Sequence, residues 1–233
     1  GGRSGNRGRC AQPGRLPYRL LYGGEEAAQG ALLSLRDLMT LPFLGELRRL
    51  GVASLKIEGR LKRPEYVTLT TRAYRRALDA LEELGHYEPT PDCLDALMRI
   101  FNRGGFSRGY FYGVQDAELI HAEQSGHTGV EIGRVTDAAA GLVEAKESLR
   151  PGDGLQLRPS GEGIAYAGRP QGPGRVHLAL PRGISTGERL FKTTDARLME
   201  AARCDGQLPR RPLSMEAELI PGCLPLLTLR ADG

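Results

Sequence analysis

The sequence predicts an α/β front followed by a mostly-β rear, and three features of the 233-residue chain carry that reading. Helix-like and strand-like segments alternate at short spacing between residues 34 and 101, the rhythm of an α/β layer. From His127 the texture changes to GVEIGRVTD, GLVEAKESL, DGLQLRP and GRVHLALP. These short apolar stretches, punctuated by Gly, Pro and Asp, suit a small barrel or sandwich. The charge shifts too: residues 1–76 hold 15 basic and six acidic side chains, while residues 77–233 hold 17 basic and 22 acidic, so the overall +4 joins a basic front to an acidic rear.

Taken in order, residues 1–19 form a Gly/Arg-rich loop without hydrophobic period. Leu20 to Tyr22 reads as a short strand, and Gly23 to Gly30 as an acidic turn. Ser34 with Asp37 resembles a capping box ahead of Leu35, Leu38, Leu41, Leu44, Leu47 and Leu50, which predicts a helix that starts or restarts at Pro42 and stops at Gly51. Val52 to Ile57 reads as a buried strand. Pro64 opens a helix that runs to Gly85, and Asp92 caps another from Cys93 to Phe101. Phe106 to Gly113 is an aromatic, glycine-rich loop, of the kind that wedges onto a domain surface or stacks bases. Asp195 to Arg203 predicts a short helix, and Leu213–Ile220 with Leu224–Arg230 a hairpin. The division that follows is 1–113, a linker at 114–126, a β-rich region at 127–212 and a further β segment at 213–233.

Composition excludes several classes. Hydrophobic residues at 40% and charged residues at 26% are those of an ordinary globular chain, not of a disordered or collagenous one. No apolar run reaches the roughly 20 residues of a membrane helix, so no membrane partner is expected. Cys10, Cys93, Cys204 and Cys223 are too scattered for a disulfide framework, and a reducing cytoplasm is the expected compartment. The chain has 28 Arg against four Lys, as a GC-rich coding sequence would produce, and it opens at Gly1 without methionine, so a preceding segment is expected.

Two clusters could carry chemistry. In SLKIEGRLKRPEY, a strand would put Lys56 and Glu58 on one face and Leu55 and Ile57 on the other, with Arg60 beginning the exit loop. That pair either lines a pocket or plugs a barrel mouth as a structural ion pair. In the opening loop, Arg3, Asn6, Arg7, Arg9, Gln12 and Arg15 could grip phosphate or carboxylate through guanidinium forks and backbone amides. A basic front equally describes a solvated surface. No Walker motif, HExxH or GxSxG occurs, and the four histidines are isolated.

GGRSGNRGRCAQPGRLPY, SLRDL, GVASLKIEGRLKRPEYV and TRAYRRALD, in that order, resemble the peptidase U32, or collagenase-like protease, family. FNRGGFSRGYFYG, HTGVEIGRVTD and PGDGLQLR resemble segments of its longer members, which are similar to a large-subunit ribosomal RNA hydroxycytidine synthase. The resemblance implies the rear part of a TIM-like (β/α) barrel followed by a small mostly-β barrel or sandwich domain. It implies an enzyme that hydroxylates a base in ribosomal RNA, with peptidase activity or non-catalytic RNA binding as alternatives. It further implies prephenate as a small carboxylate metabolite, and an iron-sulfur cluster with Cys10 as a ligand. Lys56, Glu58 and Arg60 would line the reaction pocket, with Arg3, Asn6, Arg7, Arg9, Gln12, Arg15 and Lys62 binding substrate or phosphate. Gly14 and Met39 stand where relatives commonly carry cysteine, which leaves Cys10 as the one motif cysteine for such a cluster.

Overall fold

The computed structural model describes residue 7 and residues 10–113, 119–203, 213–222 and 224–231. Gly1–Ala202 forms one compact unit and Arg203–Gly233 a second.

The first unit begins with an antiparallel pair, β1 (Tyr18–Tyr22) and β2 (Glu25–Gly30). The acidic stretch expected to be a turn is therefore a strand. Gly23 and Gly24 alone make the connection, at φ 61° and 90°, the left-handed geometry that a two-residue hairpin requires. No helix starts at Ser34. The chain there forms β3 (Asp37–Leu38), a 3-10 turn at Leu41–Phe43 and only then α1 (Leu44–Arg49). Ser34 and Asp37 are drawn away from capping by distant partners: Arg15 donates to Ser34 Oγ at 2.8 Å, and Arg103 pairs with Asp37.

The strand expected at Val52–Ile57 does not form either. The segment keeps the alternation of half-buried Leu55 and Ile57 with exposed Lys56 and Glu58, but no strand among the described residues pairs with it. Extended backbone becomes a strand only where a neighbour completes its hydrogen bonds.

α2 (Pro64–Glu83) starts at the expected proline, and Thr70, Ala73, Ala77 and Leu81 make its buried stripe at helical spacing. α3 (Pro91–Ile100) is capped by Thr90, whose side chain accepts from the Cys93 amide at 3.2 Å, rather than by Asp92. Thr90→Ala is expected to cost about 1 kcal/mol, read as a lower urea midpoint with unchanged slope. Met39, Leu41 and Leu44 pack with the stripe of α2 and Leu97 of α3 into one core. β4 (Phe106–Ser107) pairs parallel with β3, setting Asp37 opposite Phe106. The following aromatic loop wedges onto this core: Phe111 stacks on Phe43 at 4.4 Å and Tyr112 meets it edge-on.

The rear of this unit is a curled, wholly antiparallel six-stranded sheet. Its strands are β5 (Val130–Asp137), β6 (Leu142–Ala145), β7 (Gly154–Arg158), β8 (Gly163–Ala165), β9 (Gly174–His177) and β10 (Arg189–Thr194), in the spatial order β8-β7-β10-β5-β6-β9. Register shifts between Leu190 and Phe191 and between Val135 and Asp137 add local twist and curl the sheet. Its inward side chains, among them Ile132, Val143, Leu157 and Leu190, form a second core. Residues 119–122 run back along the front: the His121 amide bonds Ser34 O, and the Ala31 and Arg36 amides bond Ala122 O and Leu119 O. α4 (Ala196–Ala202) closes the unit.

The second unit contains one antiparallel hairpin, β11 (Leu213–Glu218) and β12 (Leu226–Ala231), in unbroken register. Among the described residues no helix is long and apolar enough to cross a membrane.

Candidate functional site

The parallel β3·β4 pairing brings the chain after α3 against the chain before α1, and a charged corner of the front grows from that contact. Arg103 donates to Asp37 Oδ1 at 2.5 Å, with the two side chains 19% and 24% exposed. Arg15 reaches the same corner from the 3-10 turn at Pro13–Arg15, donating to Ser34 Oγ and to Leu35 O at 2.7 Å. Burial and then the neighbouring Arg103 push the Arg15 guanidinium below its ordinary value, and Asp37 opposes them.

Lys62 enters from the turn ahead of α2. Its Nζ lies 2.8 Å from the Phe101 ring centre and 5.7 Å from that of Tyr66, while the Arg103 guanidinium lies 4.7 Å from the Phe101 centre. His127 stacks on Phe101 at 5.2 Å. Burial, then Arg103, bring the Lys62 ammonium down to about 8, against a smaller upward pull from Asp37 and with a further push from Arg15. Three cationic side chains thus share this corner with the Asp37 carboxylate.

Arg103 Nε, Asp37 Oδ2 and His127 Nε2 are buried there without hydrogen-bond partners among the described residues. Beside them a cavity of about 220 Å³ opens at Lys62, Tyr66, Phe101 and His127, lined also by Arg99, Thr194 and Asp195 but not by Arg15, Asp37 or Arg103. Such an arrangement can receive an anion on the cations and a flat ring against the aromatic groups.

Of the residues singled out from sequence, Arg15 and Lys62 belong to this corner. Lys56, Glu58 and Arg60 are exposed, and Glu58 Oε1 accepts from the Arg60 amide at 2.8 Å. Arg7 and Gln12 are exposed, Gln12 at φ 53°. Arg3, Asn6 and Arg9 lie outside the described residues, as do Cys204 and Cys223. Asp37, Tyr66, Phe101, Arg103 and His127 were not assigned to a site from sequence. FNRGG marked Phe101 and Arg103, but nothing in the sequence joined them to residue 37 or 62.

Cys10 is exposed, and its Sγ accepts from the Gln12 amide at 3.3 Å. Cys93 is half-buried on α3, and Met39 is packed in the front core. Among the described residues no three His, Cys, Asp or Glu side chains are gathered as metal ligands. A thiolate-bound iron-sulfur cluster needs several sulfurs at one point, so these residues by themselves do not fit one.

His127 adds a pH dependence. Its Nδ1 faces the Asn102 backbone, and burial holds its proton affinity below the ordinary value, with Lys62 acting in the same direction and the Asn102 and Arg99 backbone contacts and Asp37 opposing. The unfolded chain therefore takes up this proton at a higher pH than the folded one. Thermal stability is expected to fall as pH drops below about 6.5. His127→Gln should flatten that slope in part, because His121 is shifted in the same direction.

A model of the family described as peptidase family U32 matches residues 1–121. The chain is 35% identical over 134 residues to a protein named collagenase from Porphyromonas gingivalis, an alignment covering 54% of this chain and 35% of that protein. It is 33% identical over 176 residues to the 23S rRNA 5-hydroxycytidine synthase of Escherichia coli, covering 71% of this chain and 27% of the relative. It is 31% identical over 139 residues to tRNA hydroxylation protein P of Escherichia coli, covering 54% and 28%. The chain thus spans between about a quarter and about a third of the length of these relatives. No solved structure matches it significantly.

Proposed function

The chain belongs to peptidase family U32, and we propose that it is part of an RNA-modifying enzyme that hydroxylates a base of large-subunit ribosomal RNA. The observation that carries this reading is the convergence of Arg15, Lys62 and Arg103 beside the Phe101, Tyr66 and His127 rings. Phosphate or carboxylate is the partner that such cations suit, and a base is the flat group that such rings suit. Similarity to relatives named for rRNA and tRNA hydroxylation supports the same reading.

Within it, the front of the chain is the rear of a TIM-like barrel, and the curled sheet is the accessory domain that follows. The protein works in the cytoplasm on ribosomal RNA, with prephenate as the small carboxylate metabolite. An iron-sulfur cluster would supply redox chemistry, and Cys10 would contribute at most one thiolate to it. The steps assigned to this chain's own residues are binding and orientation. Arg15 and Arg103 hold the anionic group, and Lys62 adds positive charge at the same corner.

The test is mass spectrometry of ribosomal RNA from a strain deleted for the encoding gene. Loss of one base hydroxyl, restored by the intact gene and not by one carrying Arg103→Ala, is the expected result. Unchanged ribosomal RNA would overturn the reading. The similarity to a named collagenase favours proteolysis as the second reading. Gelatin cleavage by the purified full-length protein, abolished by a single substitution at this corner, would establish that reading instead. Salt-dependent RNA binding by a protein that modifies nothing would mark a binding module.

A further inference from the structure

We propose that Lys62 is a reactive amine that forms an imine with a small carbonyl compound carrying a carboxylate or phosphate, the anionic end being held by Arg103 and Arg15. The proposal rests on reading the Arg15, Lys62 and Arg103 corner as an anion site, and adds a covalent role that anion binding does not require.

Geometry carries it. The Lys62 amine and the Arg103 guanidinium lie 2.8 and 4.7 Å from the centre of one ring, and Arg103 is the charge that acts most strongly on Lys62, although Lys62 and not Arg103 lines the cavity. Arg103 Nε is buried and still has a donor to give, because the bond to Asp37 uses NH1. Lys62 lines the 220 Å³ cavity with Asp195 and makes no ion pair among the described residues, and the upward pull of Asp37 on its proton is smaller than the downward effects of burial and Arg103. Aromatic walls and cationic neighbours are the surroundings that leave a lysine amine free to act as a nucleophile, and the lowered affinity of Lys62 for its proton agrees with them.

Residue type adds an independent point. The chain uses arginine 28 times and lysine four times. A guanidinium would serve charge, phosphate binding and stacking at position 62 at least as well. Only the amine can lose a proton near neutrality and attack carbon.

The step balances without an oxidant or reductant. The neutral amine forms a C–N bond to the carbonyl carbon as the carbonyl π pair moves to oxygen, which takes up a proton. The resulting carbinolamine expels water to leave C=N, and water reverses the sequence to return lysine and the carbonyl compound.

The experiment incubates the full-length protein with glyoxylate, glycolaldehyde phosphate or uncharged propanal. Cyanoborohydride traps any imine, and peptide mass spectrometry then locates it. Adduct at Lys62, formed about tenfold faster with an anionic aldehyde than with propanal and accelerating through pH 8, is the expected result. Whichever anionic probe reacts faster identifies the carboxylate or the phosphate as the natural group. Lys62→Arg should abolish the adduct, and Arg103→Gln should move the pH inflection upward and erase the preference for charge. Adduct spread evenly over Lys56, Lys62 and Lys146 would overturn the proposal. If glyoxylate binds by calorimetry without adduct at Lys62, the covalent role falls and the anion site stands. If neither anionic probe binds or reacts, both fall.

Discussion

Asp153→Ala is expected to destabilise the protein by about 3–5 kcal/mol, because it strands a charge in the interior. Asp153 is 2% exposed, and its carboxylate meets three groups: Lys192 Nζ at 3.2 Å, the Arg150 amide at 2.9 Å and the Ala196 amide at the start of α4 at 2.9 Å. Lys192, on β10, is 6% exposed and keeps only the Ser148 carbonyl at 2.9 Å and the more distant Glu147 at 3.7 Å once Asp153 is gone. Glu147 in turn grips Arg99 of α3 in a two-pronged pair that holds the Arg99 proton tighter than usual. The network therefore ties α3, the β6–β7 connection, β10 and α4 together. A fall in melting temperature of roughly 6–20 °C should accompany the loss for a domain of this size. Adding Lys192→Met should recover much of it, since removing both charges leaves no uncompensated ion. If Asp153→Ala melts within a degree or two of the parent, the network is not a determinant of stability.

Arg103→Ala is the second large effect, and it acts on both folding and binding. The substitution leaves Asp37 half-buried without its cation, at a cost of about 1–3 kcal/mol. It also removes the charge that, after burial, does most to lower Lys62, so the amine should titrate above its present value of about 8. Affinity for an anionic ligand is expected to fall between about tenfold and a hundredfold, as when a charge-assisted contact is lost. Calorimetry with a carboxylate ligand and pH-dependent amine labelling measure the two consequences separately. Arg103→Lys should restore part of the affinity, because a point charge replaces a fork. Unaltered binding by Arg103→Ala would remove this arginine from the site.

The elements read correctly from sequence are those whose signals are local. Pro64 and Gly85 bracket α2, the turn residues after His127 separate the strands of the curled sheet, and residues 213–231 form a hairpin. The errors share a cause. Leucines at three-residue spacing suggested a helix that starts or restarts at Pro42; helical turns form only from there, because Ser34 is held by Arg15, 19 residues away, and Asp37 by Arg103, 66 residues away. Local capping loses when a remote partner satisfies the same side chain. At Val52–Ile57 the alternation is real but no neighbouring strand completes it.

The candidate site was legible only at Arg15 and Lys62. The Lys56 and Glu58 pair stood out because strand alternation gave the two residues a common face, and alternation says nothing about what that face meets. His127 looked isolated because its partners, Asn102 and Phe101, are at least 25 residues away.

By itself, then, the sequence determined the family, the basic front, the long helix with its punctuation and the β-rich rear, all of which follow from short-range spacing and composition. Only the tertiary structure decided that Arg15, Asp37, Lys62, Phe101, Arg103 and His127 stand in one corner. The parallel pairing of β3 with β4 is a contact between segments nearly seventy residues apart, and no local propensity encodes it.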